Sequence, residues 1–295
     1  MHAKTLLPIA LLLSACAPTV ERTAAPAPDA AEASAPSLPP LRAVLDCLPR
    51  EAALLAAHRG TGQGVGAPEN SLSGLEALIE NGVMMAEIDL AKIKDGTIIA
   101  FHDGVWDDKA SLTGPVVATS AQDFARVRLR LSEGGTVGGE PVPTFAQMLD
   151  AARNRIYLEL DFKTSADIGR AVQMVRDRDM ADQVVLIASS AEEAKTLKAF
   201  GDEFVLSLPF QSRKRTAGPK QGAWVGNRWR DESYADLARR HYVIGSQWVR
   251  TPAEREKAET RLDIIATDQP LRGGPIAGLT NRAGFDACVA EAGLD

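Results

Sequence analysis

The twenty residues from Met84 to Asp103, MMAEIDLAKIKDGTIIAFHD, decide the fold. In their first half Glu87 and Asp89 stand two apart on one face of a strand, while Ala86, Ile88 and Leu90 take the other. Carboxylates inside an otherwise apolar strand are not buried without partners, so this face looks into a polar site. Six residues, Ala91 to Gly96, then separate Leu90 from Thr97. A parallel crossover needs about a dozen. The run Thr97 to His102 therefore folds back as a hairpin arm. With the turn centred on Asp95 and Gly96, antiparallel partners have numbers summing to 191, which sets Asp89 opposite His102.

Outward from this hairpin, short β-branched or apolar runs alternate with segments of helical period, the pattern of repeated βα units. Eight strands are expected: Ala52 to His58, Met84 to Leu90, Ile156 to Phe162, Val184 to Ala188, Phe204 to Leu208, Ala223 to Gly226, Tyr242 to Trp248 and Asp263 to Thr267. Helices are expected at Ser71 to Asn81, Phe145 to Asn154, Ala166 to Asp179, Ala191 to Phe200, Glu232 to Arg240 and Pro252 to Thr260. Eight such units close an α/β barrel of the (β/α)8 type, with the hairpin as an excursion after the second strand. The sixth strand is short, and Gln211 to Gly222 shows no clear helix. A doubly wound open sheet is the alternative, but no Gly-x-Gly-x-x-Gly turn follows the first strand. Between Asp103 and Thr144 lie about 40 residues, too long for a plain βα loop and expected to form a lid-like insertion before the third strand.

The chain has 295 residues, 45% of them hydrophobic and 24% charged, with no apolar run near 18 residues to span a membrane. Lys4, the apolar Leu6 to Leu13 and small residues before Cys16 read as an export signal over residues 1–15. Six prolines and eight alanines crowd residues 17–40, too few apolar anchors to fold, so residues 16–40 are read as a tether. Residues 41–295 remain for the barrel. The net charge is −6, or −7 once Lys4 leaves, which disfavours a nucleic-acid partner. Leu13-Ser14-Ala15-Cys16 resembles the lipobox of bacterial lipoproteins, in which the cysteine is lipidated; this implies an anchor in a bacterial envelope membrane, on a periplasmic or outer-membrane face. Cys47 and Cys288 then form an even pair in an oxidising setting, a plausible disulfide between the first and last parts of the domain.

Catalysis in such barrels sits where the strands end. The first strand ends in His58-Arg59-Gly60, the second carries Glu87 and Asp89, and the third carries Glu159, Asp161 and Lys163 at the same period. Converging carboxylates make an oxygen-rich site for a hard divalent cation such as Ca²⁺ or Mg²⁺. Of the four histidines, His2 leaves with the signal and His241 precedes a strand. His58 and His102 are left to act as acid and base on a phosphodiester, with the metal and Lys163 offsetting charge on its oxygens. Ser212-Arg213-Lys214-Arg215 offers a patch for anionic headgroups, or a solvated loop. The glycines at 60, 62, 64 and 66 lack a P-loop lysine and are read as freedom for the first loop.

These motifs fall into an order that is familiar. His58-Arg59-Gly60, Pro68-Glu69-Asn70-Ser71, Glu87-Ile88-Asp89, Lys94-Asp95-Gly96 and His102-Asp103 resemble the glycerophosphodiester phosphodiesterase family, and Asp263 to Pro270 is similar to its closing strand. The resemblance spans about residues 54–270. It implies a metal-dependent barrel that hydrolyses glycerophosphodiesters to glycerol 3-phosphate and an alcohol, with His58 and His102 as the acid–base couple and Glu87 and Asp89 on the metal. The family's Glu-x-Lys is here Asp161-Phe162-Lys163, so the third ligand is Asp161, with Glu159 as the alternative. Arg59 is expected on the phosphate with Glu69 orienting it. The family's Arg-Thr-Thr run after His102 is absent, and Trp106 in that segment is expected to pack on a glycerol or alcohol group.

Two other readings stand beside this one. A relative acting on lysophospholipids or sphingophospholipids forms a cyclic phosphate by attack of a substrate hydroxyl. A lipoprotein that only binds phosphodiesters needs no turnover at all. The sequence leaves open the alcohol, the metal and the oligomeric state.

Overall fold

Eight parallel strands close on themselves in the computed structural model, which describes residues 38–49, 52–60, 65–131, 137–163, 165–212, 218–230, 234–247, 257–258, 260–271 and 282–293. The expected signal, Cys16 and the tether up to residue 37 lie outside the described residues, as do Arg213 to Arg215 and most of Pro252 to Thr260. Leu38 to Pro40, expected in the tether, belong instead to the folded domain: Leu38 packs against the base of the barrel and the Pro39 carbonyl accepts the Tyr157 hydroxyl at 2.7 Å. The strands, in chain order, are β1 (Leu54–Ala57), β2 (Met85–Lys92), β3 (Ile98–Ala100), β4 (Arg128–Arg130), β5 (Val137–Pro141), β6 (Tyr157–Phe162), β7 (Val184–Ile187), β8 (Val205–Pro209), β9 (Gln221–Trp224), β10 (His241–Gln247) and β11 (Ile264–Thr267). All but β3, β4 and β5 make the barrel. It closes because β1 pairs in parallel with both β2 and β11. The (β/α)8 expectation holds, and the open doubly wound sheet is excluded.

Helices α1 (Leu41–Cys47), α2 (Leu72–Glu80), α3 (Ala121–Phe124), α4 (Phe145–Ala152), α5 (Ile168–Arg176), α6 (Ala191–Lys198), α7 (Ala235–Ala238) and α8 (Arg282–Glu291) complete the described elements. Their starts follow local chemistry. Ser71, Thr144, Asp167 and Ser190 each accept a backbone N–H from the first turn of the helix they precede, and Thr144 with Gln147 forms a full capping box. On α4, Phe145, Met148 and Leu149 are fully buried against the outward faces of β2 and β6. Burial of each such side chain contributes roughly 1.5–3 kcal/mol.

Inside the barrel, Leu54, Met85, Tyr157, Val185, Val205, Tyr242 and Ile264 fill the end where the strands begin. Helix α1 stoppers that end with Leu41, Val44 and Leu45, and its Asp46 accepts the hydroxyl of Tyr242 at 2.8 Å. Arg42 donates to the carbonyls of Phe204, Asp202 and Lys220 at the foot of β8 and β9. Cys47 and Cys288 are disulfide-bonded with Cα atoms 5.5 Å apart, joining α1 to α8 as the pairing of first and last parts anticipated.

Two expectations about the strands need correction. The β2–β3 hairpin pairs Leu90 with Ala100 and Lys92 with Ile98, so partner numbers sum to 190 rather than 191. The loop is Lys94-Asp95-Gly96, closed by Ile93 N–H to Thr97 and Gly96 N–H to Ile93, with Gly96 at φ +89°. That extra left-handed residue is the G1 bulge of a three-residue hairpin. It sets Phe101, not His102, opposite Asp89, and Phe101 donates its N–H to the Asp89 carbonyl at 2.9 Å. The sixth barrel strand is Gln221–Trp224 rather than Ala223 to Gly226, because Gly226, at φ +56°, already opens a 3-10 turn.

The insertion expected after His102 is present as a folded module: Trp106, Ala110, Val116, Val127, Leu129 and Val142 make an apolar core that continues into Ala91, Ile93, Ile99 and Phe101 of the hairpin. A short hairpin of β4 and β5 and the helix α3 complete it.

Candidate active site

The strand register builds the centre. Glu87 pairs with Glu159 and Asp89 with Asp161 across β2 and β6, and all four point inward. Oxygens of Glu87, Asp89 and Asp161 lie within 4.8 Å of one another. Lys163 bridges two of them, at 2.8 Å from Asp89 and 2.6 Å from Asp161. Burial works against its charge, but the two carboxylates outweigh that and raise its pKa. Glu87 is held well above the ordinary carboxylate range, by burial first and then by Asp89, Asp161 and Glu159, against a hydrogen bond from the Arg59 N–H at 2.7 Å. Glu159 sits one step deeper; burial and Asp161 push it up to about 8, and its Oε1 has no hydrogen-bond partner.

A crowd of buried carboxylates with this surplus of negative charge is what a hard divalent ion relieves. The donor set, three carboxylates from two adjacent strands, fits Mg²⁺ or Ca²⁺.

Above the carboxylates the chain leaves β1 in a tight turn, His58–Gly60, with Arg59 at φ +59°. Asn70, also left-handed at φ +53° and fully buried, locks this turn to β2. Its backbone donates to the Arg59 carbonyl at 2.6 Å, its Nδ2 donates to Asp89 Oδ2 at 2.7 Å, and its Oδ1 accepts the Asp89 N–H at 2.9 Å. The start of α2 closes over the same turn: a Cβ on Gly74 would stand 2.8 Å from the Gly60 carbonyl.

Each histidine is backed by an aspartate. His58 Nδ1 lies 2.6 Å from Asp268 Oδ1, and His58 Nε2 faces Glu87 at 4.0 Å. His102 Nδ1 lies 2.6 Å from Asp103 Oδ1, and its Nε2 is 3.1 Å from Arg59 Nη2. Glu69 takes Arg59 Nη1 on both oxygens, at 3.1 and 3.2 Å, and also Lys109 at 3.1 Å. Burial opposes the Arg59 charge, but Glu69 and Asp89 outweigh it and keep the guanidinium protonated. Beside this cluster a cleft of about 620 Å³ is walled by His102, Asp103, Asp161, Lys163, Ser189 and Glu193, with Val117 of the inserted module at its edge.

The model of the glycerophosphoryl diester phosphodiesterase family matches residues 58–258, more than half of the chain. The chain belongs to that family. A curated glycerophosphodiester phosphodiesterase of Caldanaerobacter subterraneus is 20% identical over 164 residues, covering 54% of this chain and 67% of its own. Among solved structures, a glycerophosphoryl diester phosphodiesterase from Parabacteroides distasonis aligns with a TM-score of 0.64 at 21% identity, over 84% of this chain and 90% of its own. A phosphodiesterase of Oleispira antarctica, solved with sn-glycerol 3-phosphate, aligns at 0.61 and 18% identity over 77% and 96%.

Within this phosphodiesterase family chain, the residues expected at the site from the sequence are brought together with one exception. His58, Arg59, Glu69, Glu87, Asp89, His102, Asp161 and Lys163 share the rim, and between the two candidates for third ligand the clustered oxygen is that of Asp161, with Glu159 beneath it. Trp106 does not contact the site. It is completely buried, its ring packed at 4.6 Å and tilted 52° against Phe101 and its indole N–H donated to Thr119 at 2.7 Å, because it belongs to the core of the inserted module. Lys109, Asn70 as a bracket on Asp89 and the two aspartates behind the histidines were not expected at the site. Asp103, Asn70 and Asp268 all lay inside quoted motifs, but nothing local tied Asp268 to His58.

Proposed function

We propose that this enzyme hydrolyses glycerophosphodiesters to glycerol 3-phosphate and an alcohol, with a divalent metal and the two histidines as its acid–base pair. The observation that carries this is that two imidazoles, each backed at Nδ1 by an aspartate, stand beside the carboxylate cluster, His58 with Nε2 4.0 Å from Glu87 and His102 on the cleft wall with Asp161 and Lys163. A guanidinium only donates, so the contact from Arg59 makes His102 Nε2 an acceptor and leaves the ring proton on Nδ1, toward Asp103. A water that takes the place of Arg59 at Nε2 would give its proton to that nitrogen, with Asp103 holding the ring from Nδ1. His58 enters as the imidazolium, with Asp268 at its Nδ1, and gives the Nε2 proton to the departing alcohol oxygen.

Glu87, Asp89 and Asp161 would hold a Mg²⁺ or Ca²⁺ ion, which supplies charge neutralisation at the phosphoryl oxygens when bound. Arg59, steadied by Glu69, and Lys163 reach for the same oxygens. The cleft beside Lys163 has room for the alcohol. Release of glycerol 3-phosphate from glycerophosphocholine, followed by phosphorus NMR, tests the reading. Turnover is expected to stop with EDTA, to return with Mg²⁺ or Ca²⁺, and to vanish in His58→Ala and His102→Ala. Unchanged activity in either histidine variant, or a cyclic phosphate as first product, contradicts it.

The same proposal includes the cell address. Leu13-Ser14-Ala15-Cys16 supports lipidation at Cys16, and the Cys47–Cys288 bond suits an oxidising compartment, so the enzyme is assigned to the bacterial envelope. Cys16→Ser is expected to move it from the membrane fraction to the soluble one; retention in the membrane contradicts the anchor.

A further inference from the structure

We propose that Asp268, at the end of β11, is a positioning residue that sets the tautomer and the aim of His58. The placement follows from barrel closure. Ala56 of β1 pairs with Ala266 of β11 on the inward face, and the next inward positions along the two strands are His58 and Asp268. Two residues 210 apart in sequence thus meet at 2.6 Å, Nδ1 to Oδ1. The ionised carboxylate is an acceptor only, so the Nδ1 it holds carries the ring proton.

That has two effects on the reaction. The ring's other nitrogen, Nε2, is left to face Glu87 Oε2 at 4.0 Å and the mouth of the barrel. The ring plane is also held at a point where the backbone gives little control, since His58 begins the turn and Arg59 behind it is left-handed. When Nε2 delivers a proton to a leaving oxygen, the positive ring of the preceding moment is stabilised by the carboxylate at its back. Asp268 touches none of the clustered carboxylates and nothing in the cleft. Its pKa is lowered, first by the hydrogen bond from His58 and against its own partial burial, as an ionised partner requires.

The kinetic half of the test rests on the phosphodiesterase reading above; the spectroscopic half does not. In the full-length protein, Asp268→Ala is expected to lower kcat about 10²–10⁴-fold while KM stays within about threefold, because the carboxylate acts through His58 rather than on substrate. Asp268→Glu is expected to recover about tenfold or more of that loss. The urea midpoint should hold in all variants. Long-range ¹H–¹⁵N spectra of His58 should show a protonated Nδ1 and bare Nε2 in the neutral ring of the parent, and a mixture of tautomers in Asp268→Ala.

A kcat within threefold of the parent, or a loss carried by KM, overturns the inference. So does a His58 tautomer that does not change in Asp268→Ala. A parent protein that fails to release glycerol 3-phosphate but shows the tautomer shift removes the phosphodiesterase reading and leaves the Asp268–His58 pair standing.

Discussion

Replacing Asn70 tests how the carboxylate edge of the barrel proposed to hold the metal is kept in place. Asn70 is completely buried and contributes two side-chain bonds to one residue: Nδ2–H to the Asp89 carboxylate at 2.7 Å, and Oδ1 to the Asp89 N–H at 2.9 Å. Loss of a hydrogen bond to a charged group costs about 1.5–3 kcal/mol, and a stranded buried N–H about 1–3. Alanine at φ +53° adds about 1–2 kcal/mol of backbone strain that glycine does not pay. Asn70→Ala is therefore expected to lose roughly 4–8 kcal/mol if none of these losses is relaxed away, and Asn70→Gly about 1–2 kcal/mol less. A loss of that size is a large part of a typical domain's 5–15 kcal/mol. Urea unfolding measures it, and calorimetric titration of Mg²⁺ or Ca²⁺ measures the ligand-holding role, for which a fall of about 10–100-fold in affinity is expected. An Asn70→Gly protein that unfolds at the parent midpoint and binds metal within twofold would show that the bracket on Asp89 contributes nothing.

Four further outcomes follow. Lys163→Met leaves Asp89 and Asp161 without their cation and should destabilise the metal-free protein by about 3–5 kcal/mol, with added Mg²⁺ or Ca²⁺ restoring much of it in thermal melts; an unchanged melt refutes the pairing. Trp106→Ala should cost about 3–5 kcal/mol from cavity formation, with KM unaffected in the folded fraction; a selective rise in KM would return Trp106 to the substrate. Cys47→Ser with Cys288→Ser opens a link across 241 residues and should lower stability by about 4–5 kcal/mol, read by denaturation with and without reductant. Glu159 and Glu87 both have folded pKa values raised, so the metal-free protein should lose stability as pH climbs from the ordinary carboxylate range to about 8, and Glu159→Gln should reduce that slope while Glu87 supplies the rest; a slope unchanged in the variant excludes Glu159 as a source.

How much of this was legible in the chain depended on range. Period-two spacing exposed Glu87 and Asp89, then Glu159, Asp161 and Lys163, because strand alternation is local and charge inside an apolar run has few explanations. The six-residue gap after Leu90 gave the hairpin. It could not give the register, since choosing between a two-residue turn and a three-residue loop rests on whether Gly96 alone is left-handed. Trp106 was misplaced for a related reason: an aromatic in a long loop is exposed or buried according to partners such as Phe101 and Phe124, and no periodicity announced a second small core. Asp268 stood in the quoted closing stretch, but its pairing with His58 was beyond reach, because that partner is fixed only when the last strand closes on the first.

The stopper helix α1 has a consequence for orientation. It begins at Leu41, at the end of the barrel opposite the carboxylate rim, so the described chain enters the barrel from its base. The disulfide to α8 ties that entry into the last described helix rather than leaving it on one short helix. Under the anchor proposed at Cys16, a molecule held from this base would present its opening to the water. Dissolved diesters would then meet that opening directly, whereas a diester still embedded in a membrane would have to leave it first.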